Sequence, residues 1–135
     1  MPDGHDLDEK AELADQIVGL PGVPDTTQRR ATFDMGLEEL QKEARAASDF
    51  LKAMGHEGRL LMLYYLCERD CSVTELERLI MSRQAAVSQQ LARLRHEKLV
   101  TTRREGNQII YSLADERVRA AVEMVQHLFR DMSAK

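Results

Sequence analysis

The sequence predicts a mainly α-helical domain that carries one two-stranded β-hairpin. Apolar residues recur every three or four positions along residues 35–54 and again along 114–132, which is the spacing of one helix face. Two shorter helical patterns, at 73–81 and 82–97, follow one another with room for only a very short turn between them. The hairpin pattern comes directly after the second of these short helices.

The hairpin is indicated by two runs of β-forming residues, 99–102 and 109–112. Between them lie two arginines, a glutamate and the turn signal Gly106-Asn107. A helix pair followed by a basic hairpin is the outline of a winged helix-turn-helix, a fold that reads DNA. We therefore expect a winged helix-turn-helix domain that dimerises through its first and last long helices.

Length and composition favour one soluble globular domain with a tail. The chain has 135 residues, of which 43% are hydrophobic and 31% charged. We predict a flexible acidic arm at residues 1–32 and a DNA-binding and dimerisation domain at 33–135; a solvated tail without function is the alternative for the arm. No apolar run approaches a membrane span, and the N-terminus lacks a signal-peptide layout, so a cytoplasmic location is expected.

The charge distribution favours a nucleic-acid partner more than the formal net charge of −4 does. Residues 1–27 hold seven acidic side chains against one lysine, whereas residues 82–105 hold six basic side chains against two acidic ones. Positive charge is therefore concentrated in the predicted reading region, where electrostatic attraction to phosphates is needed.

The helices before the reading region are predicted to build its support. Asp34 is a candidate N-cap for the helix at 35–54, and Gly55 is its expected end. Residues 57–68 are apolar on nearly all sides, which is typical of a core helix.

The two short helices have recognisable starts. Ser72 followed by Glu75 forms a predicted capping box, and Ser82 is the candidate N-cap of the next helix. The residues expected to face inward from the first short helix are Val73, Leu76, Leu79 and Ile80. Those expected to face inward from the second are Val87, Leu91 and Leu94.

The outer face of the second short helix carries side chains suited to base edges. Glutamine pairs with adenine through two hydrogen bonds, arginine pairs with guanine, and an alanine methyl contacts the thymine methyl. Arginines further along the helix and in the hairpin are suited to phosphates or the minor groove. The candidate DNA-binding residues are Ser82, Arg83, Gln84, Ala85, Ser88, Gln89, Arg93, Arg95, Arg103 and Arg104.

The stripes of the first and last helices offer a way to pair two copies. An apolar stripe that the monomer core does not use would pack against a partner chain; in the alternative, both stripes pack on their own core. The candidate interface residues are Leu37, Leu40, Ala44, Ala47, Val118, Val122, Val125 and Phe129.

From residues 47 to 129 the chain resembles the arsenic-repressor (ArsR/SmtB) family of winged-helix repressors. The resemblance lies in the segments LKAMGHEGRLLMLYYL, SVTELERLI, SRQAAVSQQLARLRHEKLV and RREGNQIIYSL. Its most specific part is the pattern S-x-x-x-x-V-S-Q-x-L-x-x-L-R in the third segment. The resemblance implies a homodimer on an inverted-repeat operator of double-stranded DNA, with binding that an inducer weakens. It is strongest for the branch that responds to sulfide, persulfide or oxidants.

The family's usual sensor residues are not where the resemblance would place them. Tyr64 and Arg130 match the positions of the cysteine pair in the thiol-sensing branch. Ser-Val-Thr at residues 72–74 stands where metal-sensing members have Cys-Val-Cys. His127 with Glu123 one turn before it supplies too few ligands for a metal. No metal or cofactor is therefore expected, and the inducer stays open, with reactive sulfur or an oxidant as candidates.

Two cysteines remain as a candidate redox pair, Cys67 and Cys71. The helix is expected to end between them; a redox role would need a thiol with a lowered pKa, to which Arg69 could contribute. The alternative is one buried and one exposed ordinary cysteine.

Three classes of function fit the sequence to different degrees. A dimeric operator-binding repressor fits the basic reading region best. A winged-helix module that binds proteins without binding an operator is the alternative, because fold does not determine function. An enzyme has the least support, since the sequence shows no phosphate loop, catalytic triad or metal set.

Overall fold

The computed structural model describes residues 31–133, so nearly all of the predicted acidic arm, residues 1–32, lies outside the described residues. A 3₁₀ turn at Thr32–Asp34 precedes five α-helices and three β-strands. In chain order these are α1 (Leu37–Met54), α2 (Glu57–Glu68), β1 (Cys71–Ser72), α3 (Val73–Ile80), α4 (Gln84–His96), β2 (Val100–Glu105), β3 (Gln108–Leu113) and α5 (Glu116–Ser133). None of the described helices is long and apolar enough to cross a membrane.

The predicted hairpin is present and belongs to a small antiparallel sheet with the strand order β1-β3-β2. Its strands are longer than predicted, so Arg103 and Arg104 lie within β2, opposite Ile110 and Ile109, and not at the tip. The third strand, β1, was not predicted from the sequence because two residues are too few to show an alternating pattern. The mainly α fold with a hairpin wing is confirmed.

Helix α2 lies at the centre of the core, as its apolar sequence predicts. It packs against α1, α3, α4, α5 and β3, and Met62, Leu63 and Leu66 are almost fully buried. Because neighbouring elements surround α2 on most sides, a helix that was apolar on one face only would have placed polar side chains against apolar neighbours.

Two of the predicted interface residues belong to this core. Val118 and Val122 are 0% exposed, so their assignment to a surface between two copies is wrong. The reason is that the first half of α5 packs against α2, which uses the helix's apolar stripe within the protomer. The stripe emerges beyond Val125, and Phe129 is 56% exposed.

The predicted helix starts are right at one place and wrong at two. The capping box of α3 is confirmed: Ser72 Oγ accepts from the Glu75 N–H at 3.1 Å, and Glu75 Oε1 accepts from the Ser72 N–H at 3.2 Å. Asp34 does not cap α1, because it lies in the 3₁₀ turn and Gly36 is the N-cap. Ser82 does not cap α4, whose N-cap is Arg83 without a side-chain hydrogen bond.

Each helix of the helix-turn-helix is followed by a residue in the left-handed region of backbone conformation, which favours glycine. Met81 (φ 52°) follows α3 and Lys98 (φ 64°) follows α4. After Lys98, the N–H of Leu99 donates to the Leu94 carbonyl at 2.9 Å, and the Leu99 side chain is 1% exposed. This hydrogen bond and the burial of Leu99 together fix the end of α4. Leu79, predicted to face inward, is 38% exposed, since the short α3 buries mainly Leu76.

We expect Ser72→Ala to lower the free energy of unfolding by about 1 kcal/mol, because it removes the accepting oxygen of the capping box. Urea unfolding followed by circular dichroism measures the change. Ser82→Ala is the matched control and should leave the midpoint unchanged, since that hydroxyl caps nothing. Equal effects of the two substitutions would contradict this account of the helix start.

Candidate nucleic-acid interface

Helix α4 is fixed to the core along one side only. Val87, Leu91 and Leu94 are all 0% exposed, which confirms the predicted inward stripe. A helix advances about 100° per residue, so Ala85 and Gln89 lie on the opposite side, facing solvent. A helix anchored in this way presents its outer face as a rigid surface.

The outer surface holds the residues proposed to read DNA. All eight predicted in and just before α4 are exposed: Ser82, Arg83, Gln84, Ala85, Ser88, Gln89, Arg93 and Arg95. The first turn of the helix contains no acidic side chain, so nothing there opposes the positive end of the helix dipole. Ala92 is also exposed, and its small side chain permits close approach.

The orientation of α4 depends on Arg59 of α2, which sequence reasoning missed. Its guanidinium donates from Nε to the Ala53 carbonyl at 2.6 Å, from Nη2 to the Lys52 carbonyl at 3.1 Å and from Nη1 to Gln90 Oε1 at 2.9 Å. One side chain therefore joins the end of α1 to α4. The available signal was that Arg59 is the one basic residue in the largely apolar helix at 57–68.

The two wing arginines have different surroundings. Arg103 pairs with Asp70 at 2.5 Å and with Glu105 at 2.9 Å. Arg104 donates to the Gly106 carbonyl at 3.3 Å and forms no ion pair with the described residues. The wing therefore offers the charge of Arg104, while that of Arg103 is balanced by two carboxylates.

An open cleft separates the end of α4 from the base of the wing. It has a volume of about 460 Å³, and Arg95 and Lys98 lie on its α4 side. Arg93 forms an exposed pair with Glu97 at 3.6 Å, which is weak at this distance in water. The basic side chains of α4 thus remain accessible to an anionic partner.

The cysteines of the candidate redox pair lie in different elements. Cys67 is in the last turn of α2 and Cys71 is fully buried in β1, so the predicted break between them is confirmed. Burial raises the pKa of Cys67 to about 11, and burial also raises the pKa of Cys71 despite the nearby Arg69. A readily formed thiolate, which redox sensing requires, is therefore disfavoured at both.

The positions that match the family's cysteine pair meet in one place. Tyr64 of α2 and Arg130 of α5 line an open cleft of about 210 Å³ together with Gln126 and Phe129. Neither side chain can form a disulfide. Within residues 31–133, no three histidine, cysteine or acidic side chains are grouped so as to hold a metal ion.

Comparison with known proteins agrees with this geometry. Residues 56–102 match the family model described as bacterial regulatory protein, arsR family. Transcriptional activator HlyU of Vibrio cholerae is 39% identical over 95 residues, covering 70% of this chain and 88% of that protein. The biofilm growth-associated repressor of Agrobacterium fabrum is 35% identical over 96 residues, covering 71% of this chain and 82% of that protein.

Solved structures give the same result. The structure of reduced HlyU from Vibrio cholerae superposes with a TM-score of 0.66 at 39% identity, covering 69% of this chain and 98% of that one. The transcriptional repressor BigR from Xylella fastidiosa superposes with a TM-score of 0.63 at 36% identity, covering 70% of this chain and 97% of that one.

Fold, exposed helix and wing together define a winged helix-turn-helix transcriptional regulator. The matched segment includes the helix pair and the start of the wing. The chain belongs to the arsR family of bacterial regulatory proteins.

We expect both thiols of the native protein to react slowly with iodoacetamide at neutral pH. With the pKa of Cys67 at about 11, its thiolate fraction is at least roughly a hundredfold below that of a free cysteine, and its labelling rate should rise with pH up to that pKa. Mass spectrometry of time points measures the rate, and the same chain in urea is the control. Labelling of either thiol as fast in the native protein as in urea would contradict the assignment.

Proposed function

We propose that this protein is a homodimeric repressor that binds an inverted-repeat operator and leaves it when an inducing signal arrives. The observation that carries the proposal is the outer face of α4, polar and exposed over a fully buried stripe. A recognition helix must be rigid on one side and free on the other, because its outer side chains enter the major groove.

The side chains on that face suit base recognition. Gln84 and Gln89 can each make two hydrogen bonds with an adenine edge, and Ala85 can contact a thymine methyl. Ser88 can donate to or accept from either base type. Arg83, at the start of the helix, is placed to reach a base or a phosphate.

Binding energy would come mainly from phosphate contacts. Arg93 and Arg95 lie towards the end of α4, and Arg104 projects from the wing. Each phosphate that a cation neutralises releases bound counterions from DNA, so local positive charge outweighs a formal net charge of −4. We also infer that the protein acts by binding and not by catalysis, and that it works in the cytoplasm, where operator DNA is accessible.

Dimerisation is proposed through α1 and the second half of α5. Leu37, Leu51 and Phe129 are 71%, 62% and 56% exposed, which is costly for large apolar side chains in a lone protomer. Ala44 and Ala47 are exposed on α1 and would allow a partner helix to approach closely. Twofold pairing would place two copies of α4 about one turn of DNA apart.

The inducing signal is proposed to act elsewhere than on Cys67 and Cys71. Their raised pKa values disfavour the thiolates that reactive sulfur or an oxidant would attack. The protein with both cysteines changed to serine should therefore bind DNA and respond to its inducer as the parent does.

We expect replacement of Gln84, Ser88 and Gln89 by alanine to lower operator preference by at least about 100-fold, since each good base contact contributes about 1–3 kcal/mol of discrimination and three contacts therefore sum to about 3 kcal/mol or more. Fluorescence anisotropy with operator and competitor DNA measures the ratio of affinities. Non-specific affinity should change little. An unchanged ratio would refute base reading by α4, and an absence of operator binding by the parent would favour a protein-interaction module.

We expect Leu37→Glu combined with Phe129→Glu to convert the dimer to monomers, because burying two charges at an apolar interface is unfavourable. Sedimentation velocity measures the mass. Ile109→Glu is the control: Ile109 is 42% exposed but lies on the wing, so the dimer should persist. A dimeric double variant would rule out this pair of helices as the interface.

A further inference from the structure

The guanidinium of Arg103 joins three separate parts of the chain. Its Nη1 donates to Asp70 Oδ2 at 2.5 Å and to Ser112 Oγ at 3.0 Å, and its Nε donates to Glu105 Oε1 at 2.9 Å. Asp70 is 33 residues away in sequence and lies in the turn between α2 and β1. Arginine suits this role because its planar fork presents several donors in fixed directions.

The anchor on the other side of this contact is well held. Asp70 lies between Arg69 and strand β1. Arg69 pairs with Glu75, and β1 ends at Ser72, the N-cap residue of α3. β1 itself pairs with β3, so Asp70 is attached to both the sheet and the start of α3. An ion pair to this turn therefore connects the wing to the rigid body of the domain.

Strand geometry separates the roles of the two wing arginines. Successive side chains of a strand point to opposite faces, so Arg103 and Arg104 of β2 cannot both face the same duplex. Arg103 shares its face with Glu105 and reaches towards Asp70, whereas Arg104 donates to the Gly106 carbonyl of its own turn and pairs with no carboxylate of the described residues. The face that carries Arg104 is the one free to meet phosphate.

We propose that Arg103 is a positioning residue that clamps the wing to the α2–β1 turn through Asp70, and that Arg104 alone of the two contacts DNA. The clamp sets the angle at which the wing leaves the domain and therefore where Arg104 lies relative to α4. This inference rests on the proposed DNA binding and reassigns one of the predicted contact residues.

The electrostatics of the pair fit this role. The hydrogen bond from Arg103 is the largest influence that holds the pKa of Asp70 below its ordinary value, so the carboxylate stays charged at neutral pH. With Asp70 and Glu105 both against it, the Arg103 charge adds little to the field that attracts phosphate.

The test compares conservative and neutral variants in operator titrations over a range of salt concentrations. Arg103→Lys keeps the charge but cannot reach both carboxylates and the hydroxyl together, so it should weaken operator binding about threefold to fivefold, as should Asp70→Asn. The double variant should lose no more than either single one, because both remove the same contact.

Arg104 supplies the matched control. Arg104→Gln should make the slope of log affinity against log salt shallower by about 1.8, which is about 0.9 for each of the two wings of the dimer, whereas Arg104→Lys should keep the slope near the parent's value. The proposal is overturned if Arg103→Lys binds like the parent while Arg103→Gln lowers the salt slope, or if Asp70→Asn binds as well as or better than the parent. If the parent itself does not bind the operator, the proposed function fails but the clamp is still testable. Loss of the clamp in Asp70→Asn would then appear as increased mobility of the wing in NMR relaxation measurements.

Discussion

The burial of one stripe of α4 against α1, α2, α3 and β2 is the constraint on which the rest of this structure depends. Val87, Leu91 and Leu94 are wholly inside, and full burial of each such side chain contributes about 1.5–3 kcal/mol. That burial determines which way the opposite side of the helix faces. The polar outer residues contribute little to the core, so their identities can serve recognition.

Polar contacts then set the orientation that apolar packing leaves undetermined. Arg59 joins the end of α1 to α4, and Arg119 of α5 donates to the carbonyl of Cys67 at the end of α2. Both arginines donate to at least one backbone carbonyl near a helix C-terminus, where a cation is favoured by the helix dipole. Within residues 31–133, no buried side-chain nitrogen or oxygen atom lacks a hydrogen-bond partner.

The protein shares its family's architecture but not the sensor residues expected from the resemblance. Tyr64 and Arg130 come together in one cleft across α2 and α5, where a disulfide is chemically impossible. Of the two remaining thiols, Cys71 is buried and Cys67 is partly buried, and burial raises the pKa of both. Burial thus holds the reading helix in a fixed orientation and disfavours the thiolate form of both cysteines.

The sequence by itself determined the helix-turn-helix, its buried stripe, the capped start of α3 and the basic outer face, because each depends on residues within one or two helical turns. The features that depend on long-range contacts were decided only by the tertiary structure. Val118 and Val122 share the stripe of Phe129, yet α2 covers them and leaves Phe129 exposed. Arg103 and Arg104 are adjacent and chemically identical, yet a carboxylate 33 residues away engages only one. Local periodicity gives the face on which a side chain lies, but the partner that covers or pairs with it comes from distant parts of the chain.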